Sequence, residues 1–444
     1  MPRPGVPVVP GGVNLSFRKN GQVRSCRVTV FLTHLPRSMR IAFLTPLWPP
    51  SMAQNGIATY VDVMTRALER KGHECIVIAV WPLGGGDPRM RHIRRPRLNG
   101  AEKLFRRVRG RIEGDQTFDY HLFGRGVANA LIDADREQPV DVIEAEESFG
   151  LARYCVGATG AKVIVRSHGP HFLVHQGVFQ SGDRRRVRKE GHAFREADGV
   201  CFPSGALRDA VASQYGLDFP VSAAYPNPID IPPASEAWTL DGCDRNTILF
   251  VGRFDAVKGS DVALQAFQTI AQKRRDVRLV MAGVDHGLRG PDGAMLKFAD
   301  YVRAHMAEDV RSRIEFLGPV PREEVPGLRR RALINLTASR YETFPYAVTE
   351  ALALGAPVVA TATPGLAEYL TEGDNILFAP VGDVQTLARQ MERCLDHPEF
   401  AAKLGSAGRD TAIRLFSPEA IADQAEAYYE RVAGQARQTG VACS

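Results

Sequence analysis

No stretch of the 444 residues approaches the roughly 18 to 20 uninterrupted apolar positions that a membrane-spanning helix requires, because Arg, Asp, Gly or Pro interrupts every apolar run. A membrane-spanning helix is therefore not expected. Closely spaced cysteine pairs are also missing: Cys26, Cys75, Cys155, Cys201, Cys243, Cys394 and Cys443 are scattered, which speaks against a zinc or dithiol motif and fits thiols used as small apolar residues in a reducing cytoplasm. Acidic residues are absent from positions 1–38, where Arg3, Arg18, Lys19, Arg24, Arg27 and Arg37 stand alone. These six charges equal the whole net charge of +6, so the remainder is balanced and the excess does not mark a basic face on the fold.

That first segment is rich in Pro and Gly and carries no helical or strand periodicity. Residues 1–38 are expected to be a disordered or wrongly assigned extension, with Met39 as the natural start. A transit peptide is the alternative, against which stand its shortage of serine and the lack of an amphipathic helix. The whole chain is 44% hydrophobic and 24% charged, a composition that can fill two cores of about 200 residues each.

From Met39 onward the chain alternates short apolar runs with amphipathic helices, the pattern of parallel sheets covered on both faces. Strands are expected at 40–45, 75–80, 140–143, 162–166 and 199–202. The helix after the first strand is marked by Ile57, Tyr60, Val61, Met64 and Leu68 and closed by Lys71-Gly72; others are expected near 119–137, 184–197 and 204–215. Proline density around Tyr225-Pro226-Asn227-Pro228-Ile229-Asp230-Ile231-Pro232-Pro233 then marks a linker. Beyond it strands are expected at 247–251, 277–281, 314–316, 332–336 and 357–360. The expected fold class is α/β: two doubly wound, Rossmann-like domains, 39–225 and 246–415, joined by 226–245, with a final helical segment 416–444 returning to the first domain. Ligands of such sheets lie beyond the carboxyl ends of the strands, so a cleft between the domains is the natural active site.

Two segments carry the chemistry. In Phe250-Val251-Gly252-Arg253-Phe254-Asp255-Ala256-Val257-Lys258-Gly259 a buried strand ends in a loop with two cations before a helix begins, an arrangement that suits a diphosphate; solvated loop charges are the plain alternative. In Ser339-Arg340-Tyr341-Glu342-Thr343-Phe344-Pro345-Tyr346-Ala347-Val348-Thr349-Glu350, Pro345 is placed to open a helix, leaving Glu342 in the preceding loop and Glu350 inside it. Carboxylates suit sugar and ribose hydroxyls because each oxygen accepts hydrogen bonds. Taken alone, both would read as helix-entry and surface charges.

The order and spacing of these residues, with Glu-x7-Glu set in Ser-Arg-x-Glu-x-Phe-Pro and followed by Glu-Ala-Leu-Ala-x-Gly-x-Pro-Val, resemble the retaining GT-B glycosyltransferases of family GT4. The resemblance runs from Met39 to the end and is strongest between Asn246 and Pro380. It implies a hexosyltransferase that takes a UDP- or GDP-sugar, retains anomeric configuration, and works without a bound metal or separate cofactor in polysaccharide or glycoconjugate synthesis. By the same resemblance Arg253 and Lys258 would hold the diphosphate, Glu350 the ribose and Glu342 the transferred sugar. Backbone N–H groups near Thr343 and Phe344 would lie close to sugar or phosphate, and Gly283 with the Leu317-Gly318-Pro319 turn would cradle the base. In the first domain Gln54-Asn55-Gly56-Ile57 resembles the family's glycine loop, and His168 of Ser167-His168-Gly169 matches the position facing the donor sugar. Asn227-Pro228-Ile229-Asp230 matches the linker motif. One departure is Thr363-Pro364-Gly365-Leu366-Ala367-Glu368, where many relatives have two glycines and this chain has one.

The stretch Arg89 to Arg111 holds ten Lys or Arg against the single Glu102. It lacks the aromatic interleaving of single-stranded nucleic-acid binders, so no nucleic-acid partner is expected. Peripheral contact with the inner membrane face or with an anionic, lipid-linked acceptor is the functional expectation, a solvated loop the plain one. Asp133-Ala134-Asp135 has the spacing of a metal-binding pair but lies in helical sequence and is expected to be a solvated face. The rivals to glycosyl transfer are another GT-B enzyme, such as a nucleotide-sugar epimerase, and a non-catalytic binding protein.

Overall fold

The computed structural model describes residues 12–19, 22–29, 38–52, 55–84, 86–94, 99–104, 120–174, 181–290 and 293–435, the first two segments by backbone only. Residues 1–39 form a unit separate from 40–444. Within it β1 (Gly12–Lys19) pairs antiparallel with β2 (Gln22–Thr29), where the sequence reading expected no strand. The signal was present in the alternation of Val13, Leu15 and Phe17 with Asn14, Ser16 and Arg18.

Among its described residues the larger unit holds two parallel sheets. The first has seven strands: β3 (Arg40–Trp48), β4 (Glu74–Pro82), β5 (Met90–His92), β6 (Val142–Glu146), β7 (Lys162–Arg166), β8 (Gly199–Phe202) and β9 (Ser222–Ala224), in the order β5-β4-β3-β6-β7-β8-β9. Continuous apolar runs such as Ile41-Ala42-Phe43-Leu44 are buried throughout, as a strand covered on both faces requires.

After β10 (Asp244–Val251) and β11 (Arg278–Ala282) comes a small hairpin of β12 (Leu288–Arg289) and β13 (Met295–Leu296). With β14 (Ile314–Gly318), β15 (Ala332–Thr337), β16 (Val358–Thr361) and β17 (Leu377–Ala379) the second sheet has the order β14-β11-β10-β15-β16-β17. In both sheets the strand order reverses beside the first strand, between β3 and β6 and between β10 and β15. A crevice opens at such switch points, and the loops that leave these four strands carry much of the site, with the turns after β7, β11 and β14 adding to it.

The helix Pro418–Ala433 joins the two halves at the back. It follows the second sheet in sequence, yet its Glu419 pairs with Arg70 at 2.9 Å and its Glu426 with Lys71 at 2.8 Å and His73 at 2.9 Å. Tyr428 Oη donates to the Val200 carbonyl at 3.0 Å and Tyr429 Oη to Glu144 at 2.6 Å, both in the first half. Gly199 is needed there, because a β-carbon would lie 2.5 Å from the Tyr428 hydroxyl.

Candidate active site

A cleft of about 1430 Å³ runs between the two sheets and is lined from one side by Asn55, Gly56, Glu147, His168 and Gly169 and from the other by Arg253, Lys258, Gly283, Glu342 and Glu350. Of the residues singled out in the sequence, Gly56, His168, Arg253, Lys258, Gly283, Glu342, Thr343, Phe344 and Glu350 all line it. Leu317 does not. It sits on the edge strand β14, whose pleat turns Phe316 onto Phe298 with ring centroids 4.4 Å apart and leaves Leu317 facing outward, 38% exposed. Pro319, two residues on, lines the cleft in its place.

The loop after β10 owes its shape to glycine and aspartate. Gly259 has φ +68° and precedes the helix Ser260–Ala271, and a β-carbon there would lie 1.8 Å from the Ala338 carbonyl oxygen. Asp255 accepts from the Lys258 backbone N–H at 2.8 Å and from Arg253 Nε at 2.6 Å, which ties the loop and the Arg253 side chain to one carboxylate. The Lys258 ammonium forms an ion pair with Glu342, and Ser339 Oγ donates to the same carboxylate oxygen at 2.8 Å.

Pro345 is the N-cap of the helix Tyr346–Leu354, and no side chain caps that end. Its first N–H groups and the positive end of its dipole therefore remain open to an anion. The Phe344 side chain packs in the second core, so only its backbone can serve a ligand. Glu350 lies inside this helix with its side chain 32% exposed and accepts from Arg329 at 3.0 Å.

Across the cleft, Asn55 caps the helix Gly56–Arg70 by accepting from the Ile57 N–H at 2.8 Å; Gln54 lies outside the described residues. A β-carbon on Gly56 would be 3.5 Å from the Tyr346 ring of the opposite half, so the two walls meet here. The His168 ring lies edge-on to Tyr60, centroids 4.8 Å apart. Burial and the neighbouring Arg166 charge hold this imidazole well below the usual histidine range, so it is neutral at pH 7. Arg166 itself is fully buried, sandwiched between Tyr60 and Tyr225 at 4.4 and 4.5 Å and bonded to Asn227 at 2.8 Å, which gives the linker Asn a structural task.

Several site residues were not found in the sequence. Glu147, at the end of β6, accepts the N–H groups of His168 at 2.9 Å and Gly169 at 2.6 Å, fixing the strand-end turn that carries the histidine. Burial pushes the Glu147 carboxyl up, and it raises Glu146 to about 8, with Glu147 adding to that shift. Paired acids directly after a strand were the available signal. Glu368 accepts from the Gly205 N–H at 2.8 Å and the Ala206 N–H at 2.5 Å, at the N-terminus of the opposite half's helix Gly205–Tyr215. The single glycine noted in the sequence belongs to the same contact: a β-carbon on Gly365 would stand 2.5 Å from the Thr343 carbonyl oxygen and 3.2 Å from Ser204 Oγ.

Asp135 accepts from the Val140 N–H at 2.9 Å and Asp133 pairs with Arg136 at 3.5 Å, so each aspartate has a local partner. No cluster of metal-binding side chains occurs among the described residues. The basic stretch falls partly outside them, at 95–98 and 105–111. Of its described members, Arg89 pairs with Asp87 at 2.9 Å and Arg91 with Glu137 at 3.2 Å. No helix among the described residues is long and apolar enough to cross a membrane.

Comparison with known proteins bears on the family and the fold. The profile described as Glycosyl transferases group 1 matches residues 240–411, and the one described as Glycosyltransferase Family 4 matches 54–231. The 2-deoxystreptamine glucosyltransferase of Streptomyces kanamyceticus is 26% identical over 398 residues, covering 84% of this chain and 98% of that one. Mannosylfructose-phosphate synthase of Agrobacterium fabrum is 27% identical over 256 residues, 56% of each chain, so that match spans little more than half of the relative. Among solved structures, sucrose-phosphate synthase from Thermosynechococcus elongatus superposes with a TM-score of 0.65 at 20% identity, over 89% of this chain and 99% of that one. HepE of Anabaena, solved with UDP, gives 0.61 at 16% identity over 88% and 100%. With two family profiles in tandem on the two halves, and the fold shared with these structures, the chain belongs to the group 1 glycosyltransferases of family GT4, enzymes of the GT-B fold that use nucleotide sugars.

Proposed function

We propose that this chain transfers a hexosyl group from a UDP- or GDP-sugar to an acceptor hydroxyl with retention of anomeric configuration. The observation that carries the reading is the meeting, in one cleft, of Arg253, Lys258, Glu342 and Glu350 with Gly56 and His168. In this reading Arg253 and Lys258 bind the diphosphate, with the uncapped N-terminus of the helix Tyr346–Leu354 behind them. Glu350 takes the ribose hydroxyls, Glu342 and neutral His168 the transferred sugar, and Gly283 lies beside the base. The bond from the anomeric carbon to the phosphate oxygen breaks with its electrons staying on the diphosphate. The acceptor hydroxyl attacks the same face and gives its proton to a phosphate oxygen. Stabilising the departing charge is then the protein's main task, which accounts for two loop cations beside the proposed diphosphate.

Lys258 has two duties in this scheme. Without donor its ammonium neutralises Glu342; with donor, the phosphate competes for it and Glu342 is released toward the sugar hydroxyls. The glucosyl transfer in the name of one relative and HepE solved with UDP-glucose make UDP-glucose the first donor to try. A panel of UDP- and GDP-sugars, read by nucleotide release with and without acceptor alcohols, tests the reading. Acceptor-dependent release and a product with the donor's anomeric configuration by NMR are expected. Release from no nucleotide sugar, or an inverted product, refutes it.

A further inference from the structure

Three arginines follow one another at the end of the short helix Val325–Arg331, and they are treated very differently. Arg331 is exposed, Arg330 half-buried, and Arg329 only 2% exposed. Inside the protein Arg329 Nη1 donates to Asn335 Oδ1 at 3.2 Å and Nη2 to Glu350 Oε2 at 3.0 Å. Asn335, a buried polar residue on β15, returns a bond from Nδ2 to the Arg329 carbonyl at 3.4 Å. Arg329 Nε has no hydrogen-bond partner among the described residues.

A buried guanidinium with so few partners is a poor stabilising device. Desolvating the charge is expensive, and an apolar side chain of the same volume commonly serves the fold as well or better. Burial accordingly lowers the Arg329 pKa, with Glu350 opposing. What the arrangement does achieve is geometric. Glu350 is 32% exposed and lines the cleft, and on an open helix face such a side chain would sample several rotamers. Here one oxygen is committed to a rigid fork whose other prong is held by a buried asparagine.

We infer that Arg329 is a positioning residue for the donor: it commits one Glu350 oxygen to the protein and thereby presents the other to the ribose hydroxyls. The inference rests on the proposed contact between Glu350 and the ribose. It adds a layer behind that contact, contributed by Arg329 and Asn335, neither of which lines the cleft. A carboxylate locked at one oxygen meets the vicinal diol in a single orientation. A freely rotating one meets it in many, and discriminates less well against a sugar that lacks one hydroxyl.

The test uses binding alone and needs no acceptor. Dissociation constants of UDP and 2′-deoxy-UDP, and of GDP and 2′-deoxy-GDP, are measured by calorimetry on the full chain and on Arg329→Met, Glu350→Gln and the double variant. The unsubstituted chain is expected to prefer its ribonucleotide by roughly tenfold, as loss of a hydrogen bond to a charged group implies. Glu350→Gln should bring that preference below about threefold, Arg329→Met should match it within about twofold, and the double variant should lose nothing further. A merely structural Arg329 would weaken ribo- and deoxyribonucleotide alike and leave their ratio intact, which overturns the inference while sparing the ribose contact. A ratio unchanged in Glu350→Gln overturns the ribose contact itself. Should Arg329→Met fail to fold, Arg329→Lys takes its place with the same readings, since a lysine keeps the buried charge but cannot bridge Asn335 and Glu350.

Discussion

Replacing Lys258 by alanine removes one of the two cations assigned to the leaving diphosphate. A unit charge about 4 Å from a phosphate oxygen is worth ~4 kcal/mol at the effective dielectric of ~20 that suits a partly covered site. Lys258 is 25% exposed and its partner Glu342 14%, so water and the glutamate trim this to about 3 kcal/mol. At ~1.4 kcal/mol per tenfold, kcat/KM should fall on the order of 100- to 1000-fold. The donor diphosphate is already charged before the bond breaks, so the loss divides between KM and kcat, and their ratio reports its sum. Glu342 keeps its bond from Ser339 Oγ at 2.8 Å, and the variant should lose no more than about 1 kcal/mol of stability. Lys258→Arg, which retains the charge in a different shape, should recover part of the activity. Initial rates of nucleotide release beside thermal melts decide the matter. A folded Lys258→Ala protein with kcat/KM within threefold of the unsubstituted chain refutes the assignment.

Gly259→Ala should destabilise the second half by about 3 kcal/mol in urea titration, since φ +68° disfavours a side chain and the β-carbon would lie 1.8 Å from a carbonyl oxygen; an unchanged midpoint counts against the loop geometry. Glu368→Ala should cost about 1 kcal/mol and enlarge the radius of gyration in X-ray scattering, as two N–H bonds between the halves are lost; an unaltered profile removes the clasp from consideration. Burial beside Glu147 pushes the Glu146 carboxyl up from its ordinary 4.5 to about 8, so the fold holds more protons than the unfolded chain above 4.5, and this contribution to stability, complete below 4.5, fades as pH rises through the raised value. Glu146→Gln should therefore gain on the unsubstituted chain from pH 5 to pH 8 in paired melts, and a constant difference contradicts the burial argument.

The central strands were legible because a parallel strand covered on both faces needs an unbroken apolar run; β7 and β8 begin and end at the expected residues. β5, β9 and β17 were not, and the reason is length. Each has three residues, too few to show a period, and each pairs with only one neighbour. In the cleft, Arg253, Lys258, Glu342 and Glu350 could be found because each lies within a short motif between a strand and a helix. Glu368 meets its partners 162 and 163 residues away, Arg329 meets Glu350 21 residues away, and Glu147 reaches His168 only because β6 and β7 are adjacent. No local window holds such pairs. At Leu317 the strand alternation turns the side chain outward, while Pro319 of the same turn lines the cleft.

The contacts between the halves divide into two kinds, and the division bears on how a donor enters. At the back, Tyr428, Tyr429 and Glu426 of the last helix are buried against the first sheet, and separating them would expose aromatic surface and the bonded polar groups of Glu144 and His73. At the mouth, the halves are held by polar contacts: Thr343 Oγ1 on the His168 carbonyl at 2.5 Å, Arg322 on Thr59 at 3.1 Å, Tyr369 Oη on the Pro203 carbonyl at 2.9 Å and the Glu368 clasp. Water can replace each of these at a net cost of about 1 kcal/mol. Parting the halves at these polar contacts therefore costs less than parting them at the last helix. It would carry Gly56, Glu147 and His168 away from Lys258 and Glu342 as one wall, because Tyr60, Arg166 and the Glu147 carboxylate tie that wall together on its own side. Reclosure then restores the Thr343 bond to the His168 carbonyl, so the residue next to Glu342 registers the histidine turn directly against the proposed sugar site.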